Sequence, residues 1–199
     1  KSLDWYEESY RSSGFGAQRQ YPNEELCRFI GRRFGQLGNK EKRQIRVLEV
    51  GSGSGANLWM LAEQNFEVIG LDLSKEGVEL SKLMLKKRNT NASLICGDMC
   101  KLKDYLECQS IDIIVDVFSS NCLEENSFDD YIAQACEVLK DDGKMFLYTP
   151  SKESDAFKNY EPSRLIDSST IDGVRRIDSP FYGNFYPFRF ESIPSLQKK

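Results

Sequence analysis

Val47-Leu48-Glu49-Val50-Gly51-Ser52-Gly53-Ser54-Gly55 is the stretch on which the fold turns. The apolar, partly β-branched run that begins at Ile45 reads as a buried strand. It stops at three glycines spaced two apart, and Leu58, Leu61 and Ala62 then fall on one helix face. The pattern is strand, tight loop, helix. Glycine in such a loop permits positive φ and lets a ligand approach the backbone closely. The helix start behind it offers unpaired N–H groups.

The same alternation continues downstream. Residues 66–71 read as a second strand, followed by a helix that Ser74 opens and that carries Val78, Leu80, Leu83 and Met84. Residues 92–96 and 111–115 read as third and fourth strands. Ser127 looks like the N-cap of a helix with Phe128, Ile132, Ala135, Cys136 and Leu139 on its apolar side. Asp141-Asp142-Gly143 reads as a turn before a fifth strand over residues 144–149. Upstream, Asn23 caps a helix bearing Leu26, Phe29, Ile30 and Phe34, while the first twenty residues show no period. In the last fifty residues a helix is expected at 163–166, an aromatic loop at 181–188, and no strand pair. Strands and helices joined by short links predict an α/β fold, doubly wound, with a mainly parallel sheet covered by helices on both faces. A single domain over residues 1–199 is expected, with an arm and helix at 1–44, a core at 45–149 and a terminal segment at 150–199.

Composition narrows the function. The chain has 199 residues, 40% hydrophobic and 29% charged, which predicts one soluble domain that buries about 70% of its unfolded surface. No apolar run approaches a membrane span of roughly 18 residues, and no signal pattern opens the chain. A cytoplasmic setting is expected. There is no histidine, so His general bases, Ser-His-Asp triads and His-ligated zinc are excluded. Six cysteines are present without a C-x-x-C pair, which predicts reduced thiols and no metal site. The net charge of −4 argues against a nucleic-acid-binding surface. It is unevenly spread, with seven Lys/Arg and one acid in residues 26–46. That stretch is either a solvated helix face or a site for an acidic substrate.

Two carboxylates join the glycine loop. Asp72 ends the second strand and Asp98 follows the third. In a parallel sheet these positions meet at the carboxyl edge, where ligands bind. Asp72 can accept both ribose hydroxyls, and Asp98 can accept from an adenine amino group. Singly, each could be a turn or cap residue; together they predict a nucleoside site. Gly51 to Ala56 also satisfies the dinucleotide pattern G-x-G-x-x-G/A. Glu49, just before the loop, favours a cationic amine over an anionic pyrophosphate.

At these residues the chain resembles the class I S-adenosylmethionine-dependent methyltransferases. Residues 47–55, Ile69-Gly70-Leu71-Asp72-Leu73-Ser74, Gly97-Asp98-Met99, Ile111-Asp112-Ile113-Ile114-Val115-Asp116 and residues 138–147 resemble the family's motifs in order. The resemblance implies S-adenosylmethionine as cofactor and S-adenosylhomocysteine as product. It implies that Glu49, Gly51, Ser52 and Gly53 serve the methionine end, Asp72 with Leu73 the ribose, and Asp98 and Met99 the adenine. Asp116, Val117 and Phe118 would line the methyl-donor pocket. Two departures stand out. No His follows the fourth strand. The antiparallel pair that closes the family's sheet is not found before Lys199, although residues 192–196 look like the helix that would precede it.

Without histidine, the candidate bases or orienting groups are Tyr10, Asp116 and Tyr182, with Tyr6 beside them. Trp5 and residues 181–188 are candidates for a lid. The Asn/Asp-Pro-Pro-aromatic motif of amino-group methyltransferases is absent after the fourth strand. The expected acceptor is therefore a small molecule, methylated on oxygen or nitrogen. The alternatives are an RNA or protein acceptor, or a dinucleotide-binding oxidoreductase. The acceptor's identity and the oligomeric state are not legible.

Overall fold

The computed structural model describes residues 2–197. It opens with helix α1 (Ser2–Ser13) and a 3-10 turn (Gly14–Ala17), followed by α2 (Glu24–Phe34) and the short α3 (Asn39–Lys42). Then β1 (Arg46–Val50), α4 (Ala56–Glu63), β2 (Glu67–Asp72), α5 (Lys75–Arg88), β3 (Ser93–Cys96), β4 (Ile111–Val117), α6 (Glu125–Val138) and β5 (Leu139–Tyr148) alternate as expected. The five strands form one parallel sheet in the order β3-β2-β1-β4-β5. The order reverses direction beside β1, which puts a crevice at the carboxyl ends of β1 and β4.

Period-2 alternation splits the strands between two cores. Val47, Val68, Ile113, Val115 and Val117 pack with Leu26 and Ile30 of α2, Leu58 and Leu61 of α4, and Leu85 of α5. Leu48, Val50, Ile69, Leu71 and Ile114 face the other way, onto Phe128, Tyr131, Ala135 and Val138 of α6. Both faces are thus covered. Asn23 caps α2 by accepting from Leu26 N at 2.9 Å, and Ser74 caps α5 by accepting from Gly77 N at 3.0 Å.

Several local expectations are corrected. The first residues are helical: Leu3, Tyr6 and Tyr10 lie at i, i+3 and i+7, a stripe of one aliphatic residue and two phenols. Helix α6 begins at Glu125 rather than at Ser127, because Asp167, distant in sequence, accepts from Glu125 N at 3.0 Å. The turn at 141–143 is absorbed into β5, with a register shift opposite Ile111 and Ile113. Residues 163–166 form no helix. Arg164 N donates to Asp172 Oδ1 at 2.9 Å, and Leu165 bridges Ile171.

After β5, α7 (Asp155–Lys158) leads to an antiparallel pair of two-residue strands, β6 (Thr170–Ile171) and β7 (Phe188–Arg189), which the sequence reading lacked. The chain's described part ends with α8 (Ile193–Leu196), where a helix was expected. A third core joins this segment to the amino-terminal arm: Ile171, Val174, Tyr186, Phe188 and Phe190 pack against Tyr6, Cys122 and Phe181. Arg189, 1% exposed, pairs with Glu191 at 2.5 Å and lies over the Phe128 ring of α6 at 4.5 Å. No described helix is long and apolar enough to cross a membrane.

Candidate active site

A cavity opens at the carboxyl edge of the sheet. Its floor is the loop after β1, where Gly51, Gly53 and Gly55 adopt φ of 61°, 51° and 77°. That left-handed conformation suits glycine and penalises other residues. A Cβ on Gly51 would collide with the Ser119 side chain, and one on Gly53 would lie 2.9 Å from the Tyr10 hydroxyl. Ser52 and Gly53 line the cavity with Ala56 and Asn57, the latter from the first turn of α4.

Glu49 stands at the end of β1 and is 3% exposed. Its Oε1 accepts from Asn57 Nδ2 at 2.6 Å, and Asn57 Oδ1 accepts from Asn23 N at 2.8 Å. Its Oε2 is buried without a hydrogen-bond partner. Burial raises the carboxyl's pKa to about 8, against the opposing pull of Asn57 and the Arg19 charge. Such a group lacks a donor, and a ligand cation can supply one.

Asp72, at the end of β2, accepts from Gly53 N at 2.7 Å on Oδ2 and from Ser74 N at 2.8 Å on Oδ1. Burial raises its pKa, while these two N–H groups oppose the rise. The two bonds fix the plane of the carboxylate beside the loop. Asp98 follows β3 and accepts from Cys100 N at 2.9 Å on Oδ1. Leu73, Asp98 and Met99 line the cavity, as do Val117 and Phe118 from the end of β4. Phe118 has φ of 57°, rare for an aromatic residue. Its ring meets Tyr148 at 5.4 Å and Phe181 at 6.0 Å.

The amino-terminal arm roofs the cavity. Leu3, Tyr6, Tyr10, Gln18 and Arg19 line it. Glu7 Oε1 accepts from Lys75 N at 2.8 Å, and Arg11 pairs with Glu76 at 3.7 Å, so α1 is docked on the start of α5.

The structure therefore gathers Glu49, Gly51, Ser52, Gly53, Asp72, Leu73, Asp98, Met99, Val117 and Tyr10 around one cavity. It removes two of the expected residues. Asp116 is fully buried and its carboxylate turns to the other face of the sheet, accepting from Ser119 N and Ser120 N at 3.2 Å beside Tyr131. Tyr182 is 49% exposed, packs edge-on against Phe185 at 5.7 Å, and does not line the cavity. Arg19, Asn57 and Cys122 were not foreseen. Asn57 carried a signal, since it lies eight residues after Glu49 on the first turn of the helix that follows the loop. The basic stretch 26–46 runs away from the cavity. Arg33 sits with Ile45, Asp112 and Lys140 at the amino edge of the sheet, and Arg43 reaches Asn65 just before β2.

The comparisons agree with this geometry. A family model described as "Methyltransferase domain" matches residues 47–143. A tRNA (guanine-N(7)-)-methyltransferase of Staphylococcus epidermidis is 28% identical over 126 residues, 59% of this chain and 59% of that protein. A ubiquinone biosynthesis O-methyltransferase of Pelagibacter ubique is 27% identical over 115 residues, 57% of this chain and 45% of that one. The match thus spans roughly half to three-fifths of these relatives' length. A solved SAM-dependent methyltransferase of Methanosarcina mazei shares the fold, with a TM-score of 0.67 at 15% identity over 88% of this chain and 81% of that one. Residues 47–143 thus match a methyltransferase domain, and the motif-bearing strands, in family order with their loops gathered at one edge, make the chain similar to the class I S-adenosylmethionine-dependent methyltransferases.

Proposed function

We propose that the protein transfers the methyl group of S-adenosylmethionine to a small-molecule acceptor. The observation that carries the donor assignment is the buried Glu49 Oε2, which lacks a partner and lies at the cavity floor beside a loop that admits no Cβ. An α-ammonium supplies the missing donor, and the Arg19 guanidinium at the same end suits the accompanying carboxylate. Asp72, its plane fixed by Gly53 N and Ser74 N, would hold the ribose hydroxyls. Asp98 and Met99 would hold the adenine. A dinucleotide is disfavoured because its pyrophosphate would meet the Glu49 carboxyl.

When bound, the sulfonium supplies an electrophilic methyl group, and that chemistry belongs to the cofactor. The chain's own contribution is alignment and exclusion of water. Val117, Phe118 and Tyr10 wall the cavity, and α1 closes it from above. With Asp116 on the far side of the sheet and Tyr182 outside, no carboxylate among the described residues is placed to act as a base toward the acceptor side.

The tRNA relative brings forward an RNA acceptor. Against it stands the position of Arg33 and Arg43 at the amino edge, opposite the cavity. Isothermal calorimetry with S-adenosylhomocysteine and with NAD tests the donor reading. Binding of the first and not of the second is expected, and the reverse would overturn the proposal.

A further inference from the structure

The cavity has a division of charge that bears on the acceptor. Among the described residues four charged side chains line it, Arg19, Glu49, Asp72 and Asp98, and all belong to the half that the proposed function gives to the methyl donor. The other half, between α1 and the end of β4, is lined by Leu3, Tyr6, Phe118, Ser119, Cys122 and Leu123. It is apolar and aromatic, and its polar groups are hydroxyls and a thiol. Burial pushes the ionisations of Tyr6, Tyr10 and Cys122 upward, the thiol to about 12. The described residues of this half are therefore neutral over the whole ordinary pH range.

Its polar groups are also directed. Asn184 Nδ2 donates to Phe181 O at 2.8 Å, so its Oδ1 faces Tyr186, whose hydroxyl donates to it at 2.8 Å. Tyr186 has then given up its only proton. The 2.9 Å contact between the Tyr6 and Tyr186 hydroxyls must be donated by Tyr6. Tyr6 in turn has no proton left for the cavity, and its oxygen can only accept. Among the described residues the one group that donates to it is the Cys122 thiol at 3.8 Å, a weak donor that a ligand can displace.

Resting on the donor assignment above, we infer that the acceptor is an uncharged, aromatic or largely apolar small molecule that donates an O–H or N–H hydrogen bond to the Tyr6 oxygen. An anionic acceptor would find no cation among the described residues of this half and no proton on Tyr6. A nucleotide would have to bring its phosphate against Leu3, Phe118 and Leu123. Tyr6 is thus a binding residue for the acceptor's polar atom, oriented by a relay that ends on the Phe181 carbonyl.

The test is an NMR titration of the labelled full chain, with and without S-adenosylhomocysteine, using phenol, toluene, benzoate and GMP as probes at pH 7.5. Phenol, neutral at this pH, is expected to bind about three- to tenfold more tightly than toluene, the difference being the Tyr6 hydrogen bond. Benzoate and GMP are expected to bind at least tenfold more weakly than phenol. Tyr6→Phe should bring phenol down to the toluene level and leave S-adenosylhomocysteine affinity within twofold. Equal binding of phenol and toluene, tighter binding of benzoate or GMP, or no binding of either neutral probe would overturn the inference. Failure of the parent protein to bind S-adenosylhomocysteine would overturn the donor reading instead, and the probe ranking on the free protein would still decide this one.

Discussion

Replacing Glu49 with glutamine separates what this carboxyl does for the fold from what it does for a ligand. A carboxyl moved by burial from an ordinary 4.5 to about 8 takes up more protons in the folded chain than in the unfolded one. Stability therefore falls as pH rises, beginning near the unfolded value and levelling off above the folded one. At about 1.4 kcal/mol per pH unit, the full interval from 4.5 to 8 costs the ligand-free fold about 5 kcal/mol. Glutamine keeps an oxygen for Asn57 Nδ2 and removes the titration. Urea denaturation should show Glu49→Gln matching the parent near pH 4 and exceeding it progressively toward pH 8.5. Ligand binding should move the other way. An ammonium against Oε2 favours the charged carboxylate, so S-adenosylhomocysteine should expel close to one proton per site at pH 7, read by calorimetry in buffers of different ionisation enthalpy. In the variant the amide N–H faces that ammonium, and the lost charge-assisted bond of about 1.5–3 kcal/mol predicts a roughly 10- to 150-fold weaker complex. Parallel pH–stability curves, or binding without proton release, would refute the reasoning.

Three further outcomes are expected. Asp72→Ala removes the acceptor of Gly53 N and Ser74 N together with the proposed ribose contact, so S-adenosylhomocysteine affinity should fall by about 1–3 kcal/mol, or roughly 5- to 150-fold; calorimetry on the folded variant measures it. Gly53→Val places a branched side chain at φ 51° against the Tyr10 hydroxyl; it should melt cooperatively and lose the ligand-induced rise in Tm, and an undiminished rise would show that the loop does not face the ligand. Deleting residues 1–20 removes Tyr6, Tyr10, Arg19 and the roof but no strand, so the core should still unfold as one transition while methyl transfer, followed as S-adenosylhomocysteine release, is lost.

How much of this was legible depends on which covalent pattern fixes each group. Glu49, Asp72 and Asp98 sit at ends of parallel strands, and strand ends are marked in the sequence by the switch from apolar runs to glycine and polar residues. The parallel topology then brings them together without further information. Asp116 failed for a reason the same pattern contains. Period-2 alternation sends Val115 and Val117 to the α2, α4 and α5 side, and the register that pairs Glu49 with Val115 and Val50 with Asp116 puts Asp116 on the face opposite Glu49. The terminal segments failed differently. Tyr186, Phe188 and Phe190 alternate as a strand does and are buried, while Tyr182 and Phe185 between the turns are half exposed; reading 181–188 as one aromatic loop hid that period. No local pattern could have placed Cys122 beside Tyr6 or Asp167 at the start of α6, because those contacts join residues more than forty positions apart. The cavity is accordingly of two kinds. Its donor half is written on strand ends, whose geometry the sheet imposes. Its acceptor half is written on α1, the turn after β4 and the aromatic segment behind them, where each residue is positioned by packing against the others, and a change of acceptor can be accommodated there without disturbing the sheet.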